Sequence, residues 1–410
     1  MILYKITAVL IKRPKLRPRM VELSMELSGD QQKALARLLS WYRDPGRSPF
    51  ITLGGYAGTG KTTLISIFKN ELARLDKSVK IAFCSYTGKA AQNLKNKLKE
   101  AGALSVKDSV STIHGLIYTP REDSGGQIAG WDRKDALERH LIIVDEASMV
   151  DGLIWNDLLS YKIPIIAVGD HGQLPPISGN FNLMEKPQVL LTQIHRQAAE
   201  NPIIKVSEFA RTTGLVPPMK YGVGVYKYLK EDSDAQEKTG ELLETYSPDT
   251  LILCGYNNTR IRINQHIRAN RGYETPAPAS GDRVICLRNN HKKAIFNGML
   301  GTITSIIPAQ KDWYEAEIQL DDREKPYEGL IYAPQFNAKT GVNFTKDRKL
   351  AMMGDLFDFG YALTVHKAQG SQAKRVIMFE ERFAQMDDEM WRRWLYTGIT
   401  RAEEELYLFG

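Results

Sequence analysis

Cysteine is scarce: three residues in 410, Cys84, Cys254 and Cys286, all far apart. That spacing excludes a disulfide framework, and without a C-x-x-C pair there is no zinc ribbon or iron–sulfur cluster to read. Such usage fits a reducing cytosol. Long apolar runs are lacking too; nothing approaches the ~18 residues that a membrane span needs. The apolar start, residues 1–11, is short, and the basic stretch KRPKLRPR follows it, the reverse of a secretory signal. No internal repeat or low-complexity tract is evident. A strong charge imbalance is also missing. Lys and Arg number 55 against 48 Asp and Glu, a net charge of +7. Six of those bases (Lys5, Lys12, Arg13, Lys15, Arg17 and Arg19) fall in residues 1–20, which hold no acid, so the remainder carries 49 bases against 48 acids. A nucleic-acid partner must therefore be argued from motifs rather than from charge. With 43% hydrophobic and 25% charged residues, the chain reads as globular and cytoplasmic, long enough for two or three domains. Residues 1–26 read as a basic leader, either a DNA- or partner-binding arm or an extension ahead of a start at Met20 or Met25.

Short β-branched runs alternate with helical stretches. Phe50 to Gly55, Lys80 to Ser85, Leu141 to Glu146 and Ile163 to Asp170 are apolar runs that end in Gly, Ser or an acid, the pattern of buried strands. Lys89 to Gly102 has helical spacing and a Gly stop. Strands separated by helices predict parallel β-α-β units. The rhythm returns in Asp249 to Tyr256, Tyr361 to His366, Lys374 to Glu380 and Glu405 to Gly410, which predicts a second α/β domain. Two stretches break it. Residues 117–133, with a Ser-Gly-Gly turn, predict a hairpin. Residues 281–355 read as short strands and turns, a small β-barrel inserted in the second domain.

Chemistry enters at GGYAGTGKTT, residues 54–63. Gly55, Gly60, Lys61 and Thr62 fill G-x-x-x-x-G-K-[ST] between a predicted strand and a predicted helix, the context that gives the pattern meaning. Glycines let backbone N–H groups turn toward phosphate oxygens, and the helix N-terminus favours negative charge. Gly55, Gly58, Thr59, Gly60, Lys61, Thr62 and Thr63 are the expected nucleotide contacts. Lys61 brings a point charge to the β- and γ-phosphates and Thr62 an oxygen for Mg²⁺. In LIIVDEAS, Asp145 and Glu146 end a buried strand. Alone, such a pair reads as a cap for the next turn. Beside a phosphate loop it reads as a Mg²⁺ holder, Asp145, and a residue that orients or deprotonates water, Glu146. ATP and Mg²⁺ are the expected ligands.

VGDHGQLPPI, residues 168–177, follows another buried strand, and its Gln173 amide is placed to sense a γ-phosphate. With DEAS, this stretch resembles motifs II and III of superfamily 1 helicases of the RecD/Dda-like branch, and the resemblance runs through nearly the whole chain. LSGDQQKAL resembles the adenine-reading Q motif, with Gln31 as reader. YTGKAA and STIHGL resemble the strand-contacting motifs Ia and Ib. LTQIHRQ resembles motif IV, with Arg196 reaching the γ-phosphate. YALTVHKAQGSQ resembles motif V, in which Gln369 and Gly370 face the nucleotide. YTGITRA resembles motif VI, with Arg401 as the arginine finger.

The resemblance implies two RecA-like parallel-sheet domains, at 27–185 and at 186–280 with 356–410, a strand-separating hairpin near 117–133, and an SH3-like barrel at 281–355. It implies ATP hydrolysis between the two domains, coupled to movement along single-stranded DNA in the 5′-to-3′ direction. Single-stranded and forked DNA would be the substrates, replication or recombination proteins the partners, and a monomer without membrane attachment the working form, in a bacterial cell or phage-infected host. Thr87, Lys89, Thr112, His114, Thr364 and His366 are the expected strand contacts. A bland reading stands beside several of these: His114 as a helix cap, Lys89 as a solvated helix start, Arg196 as a surface ion pair, Arg401 as a helix-end charge. Phe296, Trp313 and Tyr314 are open between core, stacking and partner contact. Two rival functions are a nucleotide-gated single-strand-binding or assembly module without unwinding, and a helicase subunit of a larger recombination or nuclease complex.

Overall fold

Continuous apolar strands can be satisfied only where both faces of a sheet are covered, and the chain builds two such sheets. The structure, a computed structural model, describes residues 27–122, 128–176, 181–194, 200–288, 290, 293, 295–321, 323–338 and 353–410. The proposed leader, residues 1–26, and Arg196 lie outside the described residues.

In the first half, α1 (Gly29–Arg43) leads into β1 (Phe50–Gly55), α2 (Lys61–Leu75), β2 (Ile81–Ser85), α3 (Gly88–Glu100), β3 (Ser109–Thr112) and the short α4 (Ile113–Ile117). A two-stranded antiparallel hairpin follows, β4 (Tyr118–Glu122) with β5 (Ile128–Arg133). Then come β6 (Leu141–Asp145), α5 (Gly152–Leu159), β7 (Ile165–Gly169) and β8 (Val189–Leu191). Apart from the hairpin, these strands form one parallel sheet in the order β3-β2-β6-β7-β1-β8. The central strands β2 and β7 are buried along their whole length.

After α6 (Pro202–Thr213), the second sheet is built from β9 (Lys220–Gly222), β10 (Val225–Tyr228) and, beyond α7 (Ser233–Glu244), β11 (Thr250–Cys254). Past α8 (Asn257–Asn270) the chain enters an antiparallel sheet: β12 (Arg283–Cys286), β13 (Leu300–Gln310), β14 (Trp313–Leu320), β15 (Tyr327–Tyr332) and β16 (Phe357–Phe359), ordered β15-β14-β13-β12-β16. It then returns to the second sheet through β17 (Ala362–Thr364), β18 (Ala373–Phe379), α9 (Asp388–Ile399) and β19 (Ala402–Phe409). That sheet runs β17-β11-β18-β19-β10-β9 and is parallel except for β9 against β10. Among the described residues no helix is long and apolar enough to cross a membrane.

Two boundaries move. The break expected between 185 and 186 falls too early, because residues 189–191 hydrogen-bond in parallel with Leu53–Gly55 and complete the first sheet. The break expected between 355 and 356 also falls early, since β16 pairs with β12 inside the antiparallel sheet. The aromatic question resolves by burial. Trp313 is buried, and Tyr314 packs against the apolar cluster of the antiparallel sheet. Phe296 packs against that cluster too and also reaches the first half, where its ring lies so close to Gly88 that a Cβ there would approach it to 2.7 Å.

The antiparallel sheet is fastened to the second parallel sheet by buried charge pairs. Arg260 on α8 meets Asp358 on β16 at 2.9 Å, with both side chains at most 2% exposed. Arg268 meets Asp282 at 2.9 Å and donates to the Thr275 and Ala277 carbonyls. The Tyr361 hydroxyl donates to the same Asp282 at 2.8 Å. Removing one member of a buried pair strands the other without a counter-charge, which costs about 3–5 kcal/mol. Arg260→Ala is therefore expected to lose about that much stability in urea unfolding; a loss below about 1 kcal/mol would contradict this fastening.

Candidate active site between the two parallel sheets

The phosphate-loop residues turn off the C-terminal end of β1, where an open parallel sheet gathers its functional loops. Gly58 and Gly60 adopt φ of 79° and 76°, left-handed values that L side chains resist, and Gly60 caps α2. The loop is set from behind. The Thr59 hydroxyl donates to the Tyr56 carbonyl at 2.8 Å, and the Gln31 amide donates to the Thr59 carbonyl at 3.1 Å. Gln31 also completes a capping box with Ser28 at the start of α1. Gln31 thus braces the loop and is not among the cavity walls. The Lys61 ammonium donates to the Gly55 and Tyr56 carbonyls at 2.6 and 3.0 Å and lies 4.0 Å from Asp170.

Asp145 and Glu146 emerge at the end of β6. Glu146 sits at φ 52°, a strained value for a residue with a side chain, worth about 1–3 kcal/mol, and the bend turns the chain into the 3-10 turn Ala147–Met149. Burial, and then the charge of Glu146, push the Asp145 carboxyl up to about 6, while Lys61 and Lys97 pull it back. Among the described residues Glu146 has no ion-pair partner, and no group of three or more His, Cys, Asp or Glu is arranged as a metal cage. Thr62 and Asp145 supply two oxygens to the cavity, a set suited to a divalent cation that arrives with a phosphate ligand.

The opposite wall comes from the second sheet. α9 grips the 170–174 loop along its length. The Tyr396 hydroxyl donates to Asp170 at 2.7 Å, and Thr397 accepts from the Leu174 amide at 2.9 Å. Arg393 donates to the His171 and Gln173 carbonyls at 2.9 and 3.1 Å. Gln369 donates to the Leu174 carbonyl at 3.0 Å, one layer behind the cavity. The Gln173 side chain is left buried with its Oε1 unpartnered. Arg401, 3% exposed, rests its guanidinium on the Thr397 and Ser371 carbonyls and the Thr400 hydroxyl. No carboxylate pairs with it among the described residues. A buried cation held only by neutral oxygens favours an anion beside it.

These groups surround a cavity of about 360 Å³. Of the expected nucleotide, metal and catalytic residues, Gly58, Gly60, Lys61, Thr62, Thr63, Asp145, Glu146, Gln173, Gly370 and Arg401 line it. Gly55, Thr59, Gln31 and Gln369 shape it from behind. The lining also includes Ala57, Asp170, Gln372, Thr400 and four residues of α3, Ala90, Asn93, Leu94 and Lys97, which form one face of that helix at spacings i, i+3, i+4 and i+7. Helical periodicity counted forward from Thr87 would have found these four. Asp170, which reads from sequence only as the acid that ends a buried strand, stands opposite Lys61.

The expected strand contacts divide into groups. Thr87 caps α3 and abuts Gly370, where a Cβ would meet its hydroxyl at 2.8 Å. Lys89 donates to the Gln372 carbonyl at 3.4 Å. Both therefore lie where the two halves meet. Thr112 caps α4, and His114 lies between the rings of Tyr86 and Tyr118 at 6.5 and 5.4 Å. Thr364 ends β17, and His366 follows it, half-buried. Burial pulls both imidazoles below the usual histidine range, so each offers a hydrogen bond rather than a charge at neutral pH.

Comparison with known proteins gives the site a context. Residues 45–179 match the AAA domain family and residues 359–409 the UvrD-like helicase C-terminal domain family. An ATP-dependent RecD2 DNA helicase of Deinococcus radiodurans is 27% identical over 383 residues, covering 88% of this chain and 47% of that protein. The RecBCD enzyme subunit RecD of Haemophilus influenzae is 24% identical over 435 residues, covering 89% of this chain and 67% of the relative. The chain thus spans about half the length of the first relative and two thirds of the second. In fold it is similar to a Bacteroides Pif1 helicase solved with ADP-AlF3 and single-stranded DNA, with a TM-score of 0.53 and 18% identity, covering 94% of this chain and 92% of that one.

Asp145→Asn removes a charge that its surroundings disfavour. Asp145 is ionised in both states above about pH 6, so the fold bears its full penalty there; below the ordinary carboxylate range it is neutral in both and bears none. In chelator-treated protein the Asn variant is expected to melt higher at pH 8, with the gain shrinking as pH falls through 6. An equal or lower melting temperature at pH 8 would contradict this electrostatic picture.

Proposed function

We propose that the chain is a superfamily 1 helicase, on the branch of RecD and Pif1, that hydrolyses ATP and translocates on single-stranded DNA. The observation that carries this reading is the convergence of Lys61 from the first sheet and Arg401 from the second on one cavity that also holds the Asp145–Glu146 pair. Phosphates bring negative charge that neither wall meets alone. Lys61 turns from its loop carbonyls to the β- and γ-phosphates. Gln173 presents its amide to the γ-phosphate. Arg401 stabilises charge as the phosphoryl group transfers, the role the family resemblance also gives to Arg196. Glu146 orients and deprotonates the attacking water. Thr62 and Asp145 would hold Mg²⁺, which neutralises phosphate charge when bound.

Because the wall residues come from different sheets, hydrolysis and release change the spacing between the halves. Thr87, Lys89, Thr112 and His114 on one half and Thr364 and His366 on the other then grip a strand alternately. Thr87 against Gly370 supports this, since a proposed strand contact touches a wall of the nucleotide cavity. The hairpin at 118–133 would part the duplex at a fork, and the five-stranded antiparallel sheet would be an SH3-like barrel. The two parallel sheets would each be RecA-like. The 5′-to-3′ direction, cytoplasmic location and monomeric state follow from the family resemblance. A second reading, a helicase subunit of a larger recombination complex, is favoured by relatives that are RecBCD subunits, and co-purification tests it.

With Mg²⁺ and ATP, a fork with a 5′ tail is expected to be unwound and a fork with only a 3′ tail left intact; unwinding of the 3′-tailed fork alone would reverse the polarity. ATP turnover without unwinding of either would leave a nucleotide-gated binding module. Lys61→Ala is expected to abolish turnover while nucleotide-free strand binding survives. Arg401→Ala is expected to lose ~10³–10⁵ in turnover with ATP binding retained; full activity in that variant would refute its role.

A further inference from the structure

Tyr396 stands between the two halves of the site, yet no role has been assigned to it. It lies on α9, fully buried, and its hydroxyl makes two short contacts in opposite directions. It accepts from the Ala57 amide of the phosphate loop at 2.7 Å and is 2.7 Å from Asp170 Oδ2. The Ala57 N–H can only donate, so the single phenolic proton points to the carboxylate. Asp170 is itself 2% exposed. Its other oxygen accepts from the Gly172 amide at 2.9 Å, and Lys61 lies 4.0 Å from Oδ2. A buried carboxylate depends on every donor it has.

The packing leaves this hydroxyl little freedom. Gly172 runs between two rings; a Cβ there would come within 2.8 Å of Tyr56 and 3.1 Å of Tyr396. Tyr56 meets Tyr396 edge-on at 5.8 Å, and Arg211 of α6 covers the Tyr56 ring at 4.2 Å. The next residue, Thr397, holds the far end of the same loop through the Leu174 amide. Two consecutive residues of one helix thus clamp both ends of the segment that carries Gln173.

We propose that Tyr396 is a positioning residue for ATP hydrolysis, its hydroxyl bridging the phosphate loop and Asp170 across the cleft and so fixing the carboxylate that opposes Lys61. This role rests on the ATPase reading above. With the hydroxyl in place, Asp170 is satisfied by Gly172 and Tyr396, and Lys61 is free to move to phosphate. Without it, Asp170 lacks one donor and draws the ammonium toward itself, away from the substrate. The bridge also reports closure, because separating the halves breaks its bonds to Ala57 and Asp170 together.

The test is steady-state ATP hydrolysis with saturating single-stranded DNA, alongside thermal melting, for wild type, Tyr396→Phe, Asp170→Asn and the double variant. Tyr396→Phe keeps the ring and is expected to lower kcat roughly 10- to 100-fold, the size of one hydrogen bond to a charged group, with KM for ATP changed less than about threefold. In the Asp170→Asn background, removal of the hydroxyl is expected to change kcat by less than about twofold, because the group it acts through is already neutral. Wild-type kcat in Tyr396→Phe, or losses that multiply in the double variant, would overturn the proposal. If Asp170→Asn is too slow to measure, Tyr396→Phe decides alone: a fall in kcat at unchanged melting temperature supports positioning, and a fall in proportion to lost stability overturns it. A wild-type protein that hydrolyses no ATP would instead overturn the parent reading, so the two failures are distinct.

Discussion

The Lys61 ammonium is held by two carbonyl oxygens of its own loop and faced by the buried Asp170 carboxylate. A cation placed this way is satisfied by its own loop yet not committed to a salt bridge, since 4.0 Å is the outer limit of such a pair. Asp170 is in turn fixed by the 170–174 loop, and that loop is held by α9 of the opposite half. The electrostatic balance around one lysine therefore depends on how the two parallel sheets are docked.

That docking is polar where it matters. Arg393, Thr397, Tyr396 and Gln369 all bond to the 170–174 loop, mostly through its backbone. Backbone partners fix the path of the loop while leaving the Gln173 side chain unspent in the cavity. Arg401 follows the same logic, resting on neutral oxygens so that its charge is available. The antiparallel sheet, joined to the second half by Arg260–Asp358 and Arg268–Asp282, reaches the first half through Phe296 at Gly88, the residue after Thr87. One end of α3 is thus at the proposed strand track and its third turn in the nucleotide cavity.

How much of this is legible in the sequence follows from the range of the interactions. The strands of the first sheet are readable because Val, Ile and Leu run unbroken to a polar stop, and the phosphate loop because its chemistry is local: two glycines, a lysine and a threonine within eight residues. β8 is not readable, being three apolar residues whose partner strand lies more than 130 positions earlier. Gln31 reads as a base reader because an amide has two hydrogen-bonding ends; that its Oε1 accepts from the Ser28 amide and its Nε2 donates to the Thr59 carbonyl is set by tertiary packing and has no local signal. The Tyr396 bridge spans 226 and 339 positions, and no local pattern encodes a hydroxyl that must meet a carboxylate and an amide at those separations. Lys97 was readable in principle, as one more turn along the helix that begins at Thr87, but only once that helix is known to pass the cavity.

ATP hydrolysis by the wild-type chain, measured with Mg²⁺ in the presence and absence of single-stranded DNA, asks whether strand contacts and nucleotide cavity work as one device. Shared walls at Thr87–Gly370 and along α3 predict that turnover is slow alone and rises at least about tenfold on strand binding, as a coupling of 1–3 kcal/mol allows. Hydrolysis at the same rate with and without DNA, or none under either condition, would contradict that account.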